Sequence, residues 1–246
     1  MARDSRGLGG AWTRFQRHAF LEPSSDLAPW VERYWVVSWS YDEPYHQKIV
    51  PYPNVHLTFQ DDAAVVTGVG TGFATRVLAG DGGVFGVAFR PGCFRPFLGA
   101  SVSTLTDRTV DALEIFDVPA QVTDQPAVED FLRAQLPDPD PAAFEAAGIV
   151  ATIAGHPELT RVDAVAGRCG TSVRQLQRLF AEYVGVGPKW VIRRYRLREV
   201  TSRLETGAVI DWASLAADLG YADQAHFARD FKGLFGESPT AYAQRY

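Results

Sequence analysis

Arg174, Gln175 and Arg178, and again Gln224, His226 and Arg229, carry the donor and acceptor groups that fit the edges of nucleic-acid bases. A guanidinium fork matches guanine O6 and N7, and a glutamine amide matches adenine N6 and N7. Each good bidentate pair contributes about 1–3 kcal/mol of discrimination against the wrong base. A histidine can donate or accept, so His226 has no fixed base preference. On a helix, each residue advances about 100°, so Arg174, Gln175 and Arg178 fall within one arc about 100° wide. Val173, Leu176, Phe180 and Tyr183 share the opposite, packing face. In the second stretch Phe227, Phe231 and Leu234 face inward, Ala225, His226 and Arg229 face outward, and Gln224 and Lys232 flank them.

These two stretches are copies of one another. Residues 166–187 recur, with one residue inserted, at 216–238. Ala166 and Gly170 return as Ala216 and Gly220, a shift of 50. The shift is 51 for Leu176/Phe227, Arg178/Arg229, Phe180/Phe231, Gly185/Gly236 and Pro188/Pro239. A small residue lets two helices cross closely, and a glycine takes the positive φ of the turn between them. This is the grammar of a helix-turn-helix, written twice. Ser172 and Asp223 are N-caps, Gln175 completes a capping box with Ser172, and Gly185 closes its helix. Gln175 therefore has two candidate roles, cap and base reader. A single outward arginine is an ordinary solvated surface; Arg178 and Arg229 gain weight by recurring at one position of a repeated scaffold.

A helix starting at Pro188, where the missing N–H costs nothing, is expected to run to Thr206 and stop at Gly207. At ~1.5 Å per residue it is roughly 28 Å long, against roughly 34 Å between successive major grooves on one face of DNA. Its apolar stripe is Trp190, Val191, Leu197 and Leu204. Phosphate contacts are expected from Lys189, Arg193, Arg194 and Lys232, and from the helix starts at Ser172 and Asp223.

The net charge of −5 looks wrong for a DNA reader until it is divided. Residues 1–150 carry 11 Lys and Arg against 19 Asp and Glu, a balance of −8, whereas residues 151–246 carry 13 against 10, a balance of +3. Salt screens distant charge, so the local basic faces govern contact. Prolines at 137, 139 and 141 mark a boundary between a domain at 1–136 and one at 141–246. Within the second domain, helix-turn-helix units are expected at about 159–184 and 211–235, joined by the helix at about 188–206, with further helices at 141–154 and 159–169. The first domain reads as strands at 30–41, 48–50, 55–59, 63–69, 75–78 and 84–89, then helices at 94–98, 103–116 and 126–136. The expected fold is thus an α+β chain: a mostly antiparallel, half-barrel or cupin-like sheet with short helices, followed by an all-α domain.

No run of 18 or more apolar residues and no secretory signal is present, so a cytoplasmic protein without a membrane span is expected. Cys93 and Cys169 lie far apart, outside any metal-binding spacing, and His46 and His56 lack a paired carboxylate pattern; neither metal nor cofactor is expected. Trp39, Tyr52, His56 and Arg90 are candidates for the lining of a ligand pocket.

The second copy resembles the DNA-binding domain of the AraC/XylS family of bacterial transcription regulators. The resemblance lies in Ala216, Gly220, Tyr221, Phe227, Arg229, Phe231, Lys232, Gly236, Ser238, Pro239 and Tyr242 at the family's spacing, and it extends over about 141–246. It implies two helix-turn-helix motifs on a long connecting helix, with base contacts from Arg174, Gln175, Gln177 and Arg178 and from Gln224, His226 and Arg229. Helical geometry alone turns Gln177 to the side. Residues 86–92, 97–99 and 105–108 resemble a domain often found ahead of this reader. The implied function is a regulator that binds duplex DNA, with a small-molecule effector, self-association as a homodimer and RNA polymerase as further expectations. Two alternatives differ in class. One is an alkyl-transfer enzyme using Cys93, which lies between Arg90 and Arg95; the other is a protein-binding helical module.

Overall fold

The computed structural model describes residues 15–118, 122, 124–205 and 210–244. Six strands form one antiparallel sheet in the order β1-β2-β5-β3-β4-β6: β1 (Gln16–Leu21), β2 (Val31–Ile49), β3 (His56–Gln60), β4 (Ala63–Thr67), β5 (Ala74–Phe89) and β6 (Thr109–Asp111). β2 and β5 are single long strands that absorb the separate segments expected at 30–41 and 48–50, and at 75–78 and 84–89. A bulge between Tyr41 and Tyr45 lets β2 bend and continue. β1 was not expected at all.

The helix expected at 103–116 does not form. Val102–Leu105 and Ala112–Glu114 are 3₁₀ turns on either side of β6, whose Val110 pairs with Val66 of β4. A distant strand partner outweighs the local helical pattern here. The short helix α1 (Arg95–Leu98) and α2 (Gln125–Ala134) lie near the expected 94–98 and 126–136.

The sheet has two unlike faces. Tyr34, Leu57, Val66, Val87 and Phe89 turn towards the helices and are buried. The other face carries Trp35, Val37 and Trp39 of β2, opposite Gly86, Val84 and Gly82 of β5. The two indoles lie where a side chain on Gly86 or Gly82 would stand, so glycine is required beneath each ring.

All described elements beyond Pro141 are helical: α3 (Pro141–Gly155), α4 (Val162–Arg168), α5 (Val173–Leu179, ending in a π turn at Phe180–Val184), α6 (Pro188–Glu205), α7 (Trp212–Asp218), α8 (Gln224–Phe235) and α9 (Pro239–Ala243). The expected stop at Gly207 lies outside the described residues.

Apolar packing crosses the proline-rich segment at 137–141. One buried cluster runs from Leu27 and the sheet through α3 to Leu176, Phe180, Val191 and Ile192. A second gathers Leu197, Val200, Leu204, Leu215, Phe227, Phe231 and Phe235, with Val50 of the sheet domain. The first helix pair thus shares a core with the sheet, and the second packs in a separate cluster that takes in Val50.

Candidate nucleic-acid interface

The two turns are built by the same bonds. Gly170 and Gly220 have φ of +65° and +70°. The N–H of Thr171 donates to Ala166 O at 3.0 Å, and that of Tyr221 to Ala216 O at 2.9 Å. These six-to-one bonds close α4 and α7 in the same way. The inserted residue falls just beyond, at Ala222, and each following helix then has its own cap. Ser172 Oγ accepts from Gln175 N at 3.2 Å, and Asp223 Oδ1 accepts from His226 N at 2.6 Å. Gly185 and Gly236, with φ of +91° and +78°, close the second helix of each unit.

Burial separates the faces as the repeat implies except at Val173, which was expected on the packing face and is exposed at the first turn of α5. Leu176, Phe180, Phe227, Phe231 and Leu234 are buried. Arg174, Gln177 and Arg178 are exposed on α5, and Gln224, His226 and Arg229 on α8. Gln175 is exposed but engaged in the capping box: its Oε1 accepts from Ser172 N at 3.1 Å and from Ser172 Oγ at 2.7 Å. Bidentate adenine reading needs that same oxygen, so Gln175 would have to give up its cap to do it.

On α8, His226 lies 4.0 Å from Asp230 Oδ2 and packs edge-on against Tyr221. Asp230 also receives Arg193 at 3.5 Å, joining α6 to α8. Sequence reasoning overlooked Asp230, although its i+4 spacing from His226 was a usable signal. It also overlooked Arg196, whose guanidinium lies 4.2 Å from the centre of the Tyr221 ring and donates to Leu219 O beside the turn.

Of the expected phosphate contacts, Lys189 and Lys232 are exposed, as are the capping residues Ser172 and Asp223. Arg193 is half-buried and engaged with Asp230. Arg194 must be corrected. It is 1% exposed, its Nε donates to Pro51 O at 2.6 Å, and its guanidinium lies 3.7 Å from the centre of the Tyr52 ring. Burial pushes its pKa down. Such a side chain reaches no phosphate; it fastens the connecting helix to the sheet domain.

Other contacts hold the helix-turn-helix units to the sheet. Arg95 pairs with Glu182 at 3.1 Å, and Thr106 Oγ1 donates to Gly185 O at 2.5 Å, both at the end of the first unit. Trp190 Nε1 donates to Thr71 O at 2.9 Å, and Lys48 pairs with Glu237 at 2.7 Å, just after the second.

The sheet face that carries Trp35 and Trp39 holds two adjoining cavities. One of about 400 Å³ is lined by Trp35, Trp39, His56 and Arg76, among others. The other, of about 360 Å³, includes Arg33, Trp35, Tyr52 and His56. Trp39 thus lines the larger cavity, Tyr52 the smaller one and His56 both. Arg90 lines neither: it follows β5, is exposed, and its Nε donates to Ala28 O at 2.6 Å. Cys93 is fully buried, and burial pushes its thiol up to about 11, with Arg90 opposing weakly. That environment suits a packed thiol and not a nucleophile. Among the described residues, no group of three or more His, Cys, Asp or Glu could hold a metal, and no helix is long and apolar enough to cross a membrane.

Comparison with known proteins matches residues 165–245 to the model of a helix-turn-helix domain, and residues 19–111 to a domain of unknown function (DUF6597). The HTH-type transcriptional regulator GlxA of Rhizobium meliloti (strain 1021) is 35% identical over 82 residues, or 33% of this chain and 25% of that protein. The chain thus spans about a quarter of the length of that relative. Among solved structures, an AraC-type transcriptional regulator from Chromobacterium violaceum aligns at 25% identity, covering 41% of this chain and 91% of that one, with a TM-score of 0.37. ToxT from Vibrio cholerae aligns at 11% identity over 94% of this chain and 98% of that one, with a TM-score of 0.43. Matched turns, matched caps and one connecting helix, together with the family model over residues 165–245, identify that segment as a helix-turn-helix domain.

Proposed function

We propose that this chain is a sequence-specific transcription regulator that sets α5 and α8 into consecutive major grooves of one duplex. The observation that carries this reading is the exposure of Arg178 and Arg229 at equivalent points of two turns built by the same hydrogen bonds. The helix between them, Pro188–Glu205, is about 27 Å long at ~1.5 Å per residue, a span suited to neighbouring grooves. Base contacts come from Arg174, Arg178, Gln224, His226 and Arg229, with Gln175 and Gln177 beside them. Lys189 and Lys232 contact phosphates.

In this reading residues 1–136 form a sensory or association domain and 141–246 the reader. The cavities beside His56 take a small-molecule effector, and the protein acts in the cytoplasm without catalytic chemistry. Pairing of two chains and contact with RNA polymerase complete the proposal. The buried thiol of Cys93 weighs against the alkyl-transfer alternative. The test is selection of bound fragments from genomic DNA across a salt series. A saturable, sequence-selective complex is expected; binding that follows fragment length and salt alone rejects the reading.

A further inference from the structure

The sheet face that carries Trp35 and Trp39 has a chemistry of its own. Among the described residues that line the larger cavity, none is Asp or Glu. Its apolar wall is built from Trp35, Trp39, Val37, Leu78 and Val84, and its cationic lining residues are Arg76 and Lys48, of which Lys48 is paired with Glu237. Arg76 stands across the β2–β5 ladder from Gln47, on the same face as Trp35 and Trp39. Its NH2 group donates to the neutral amide of Gln60. Asp61 acts on it electrostatically, yet burial dominates and pushes the guanidinium pKa down. A half-buried arginine with a neutral hydrogen-bond partner gains from an incoming anion, because a charge-assisted pair is roughly twice as strong as a neutral one.

The aromatic wall adds a shape. Trp35 lies across Gly86, lines both cavities and donates from Nε1 to His56 Nδ1 at 3.2 Å, which fixes the orientation of both rings. A flat indole favours a flat ligand, since aromatic rings stack offset or edge-on at about 4.5–7 Å between centres. The cavity volume of about 400 Å³ is in the range of small-ligand sites.

We propose that this cavity binds a small aryl carboxylate, with its ring against Trp35 and its acid group on Arg76. This deepens the effector reading given above and names the class of molecule. The acid stays ionised and the arginine protonated at neutral pH, so recognition is a charge-assisted, two-point contact rather than a proton transfer.

The test is calorimetric titration of the full chain with benzoate, phenylacetate and indole-3-acetate. Indole-3-acetamide serves as the neutral isostere and octanoate as a non-planar acid. At least one aryl acid is expected to bind saturably, with the amide at least tenfold weaker than indole-3-acetate. Arg76→Gln is expected to weaken the acid at least tenfold while leaving the amide unchanged, and Arg90→Gln, outside the cavity, to change neither. The acid–amide comparison needs no variant, so it stands even if Arg76→Gln folds poorly. The assignment is overturned if no aryl acid binds, if acid and amide bind alike, or if octanoate binds as tightly as the aryl acids. DNA selection without ligand is a separate readout: a selective DNA complex with no acid binding defeats this inference alone, and acid binding without DNA selection defeats the regulator reading alone.

Discussion

Gly170 and Gly220 hold the same left-handed backbone, at φ of +65° and +70°, and the residue after each returns its N–H to an alanine carbonyl. Fifty residues apart, one turn has been built twice. The proposed reading by α5 and α8 follows from that repetition, because the turn sets the angle at which each helix leaves its partner.

Alanine at Gly170 meets open space, so its cost is the backbone alone. Gly170→Ala is expected to lower stability by about 1–2 kcal/mol. Gly220→Ala should cost more, because a Cβ there comes within 3.2 Å of Thr160 Cγ2. Urea unfolding of the two variants checks both the sign and the order.

Arg178→Ala and Arg229→Ala are each expected to relax base preference at one step, losing about 1–3 kcal/mol of discrimination there. Lys232→Ala should weaken all sequences alike and flatten the salt dependence by about one counterion. Binding to a panel of single-base variants at several salt concentrations separates the two behaviours.

Arg194→Ala removes a large buried side chain from the join between α6 and the sheet domain. A stability loss of about 2–5 kcal/mol is expected, the range for truncating a large core residue. The salt slope of DNA binding should stay unchanged, which distinguishes a fastening residue from a phosphate contact.

How much of this was legible beforehand depended on range. The two helix-turn-helix units are encoded locally, by glycine turns, caps and apolar spacing within 22 residues. β6 depends on Val110 meeting Val66, 44 positions away, and no local pattern announced it. β1 is a short edge strand whose Gln16 and His18 hide its alternation. Arg194 was misread by residue type. Its position, three residues from both Val191 and Leu197, lies on the buried stripe of α6, and spacing was the better guide than charge. The cavity was half visible: Trp39 and His56 were named, but Trp35 and Arg76 become its neighbours only through the pairing of β2 with β5.

Cys93 makes a prediction about pH. Burial raises its folded-state pKa from an ordinary 9.0 to about 11, so the folded chain holds the proton more tightly than the unfolded one. The stability linked to this group is complete below about pH 9 and is lost as pH rises towards 11. Unfolding curves between pH 8 and 11 should show that decline in the wild type and less of it in Cys93→Ala. Iodoacetamide at pH 8 should label Cys93 only after unfolding.

The most direct measurement is a hydroxyl-radical footprint on a selected site, run with the wild type, Arg178→Ala and Arg229→Ala. Two protected patches are expected on one face of the duplex, about one helical turn (~10–10.5 base pairs) apart, each variant losing sequence preference in a different patch. A single patch, or two variants that relax the same base step, would contradict reading by both units.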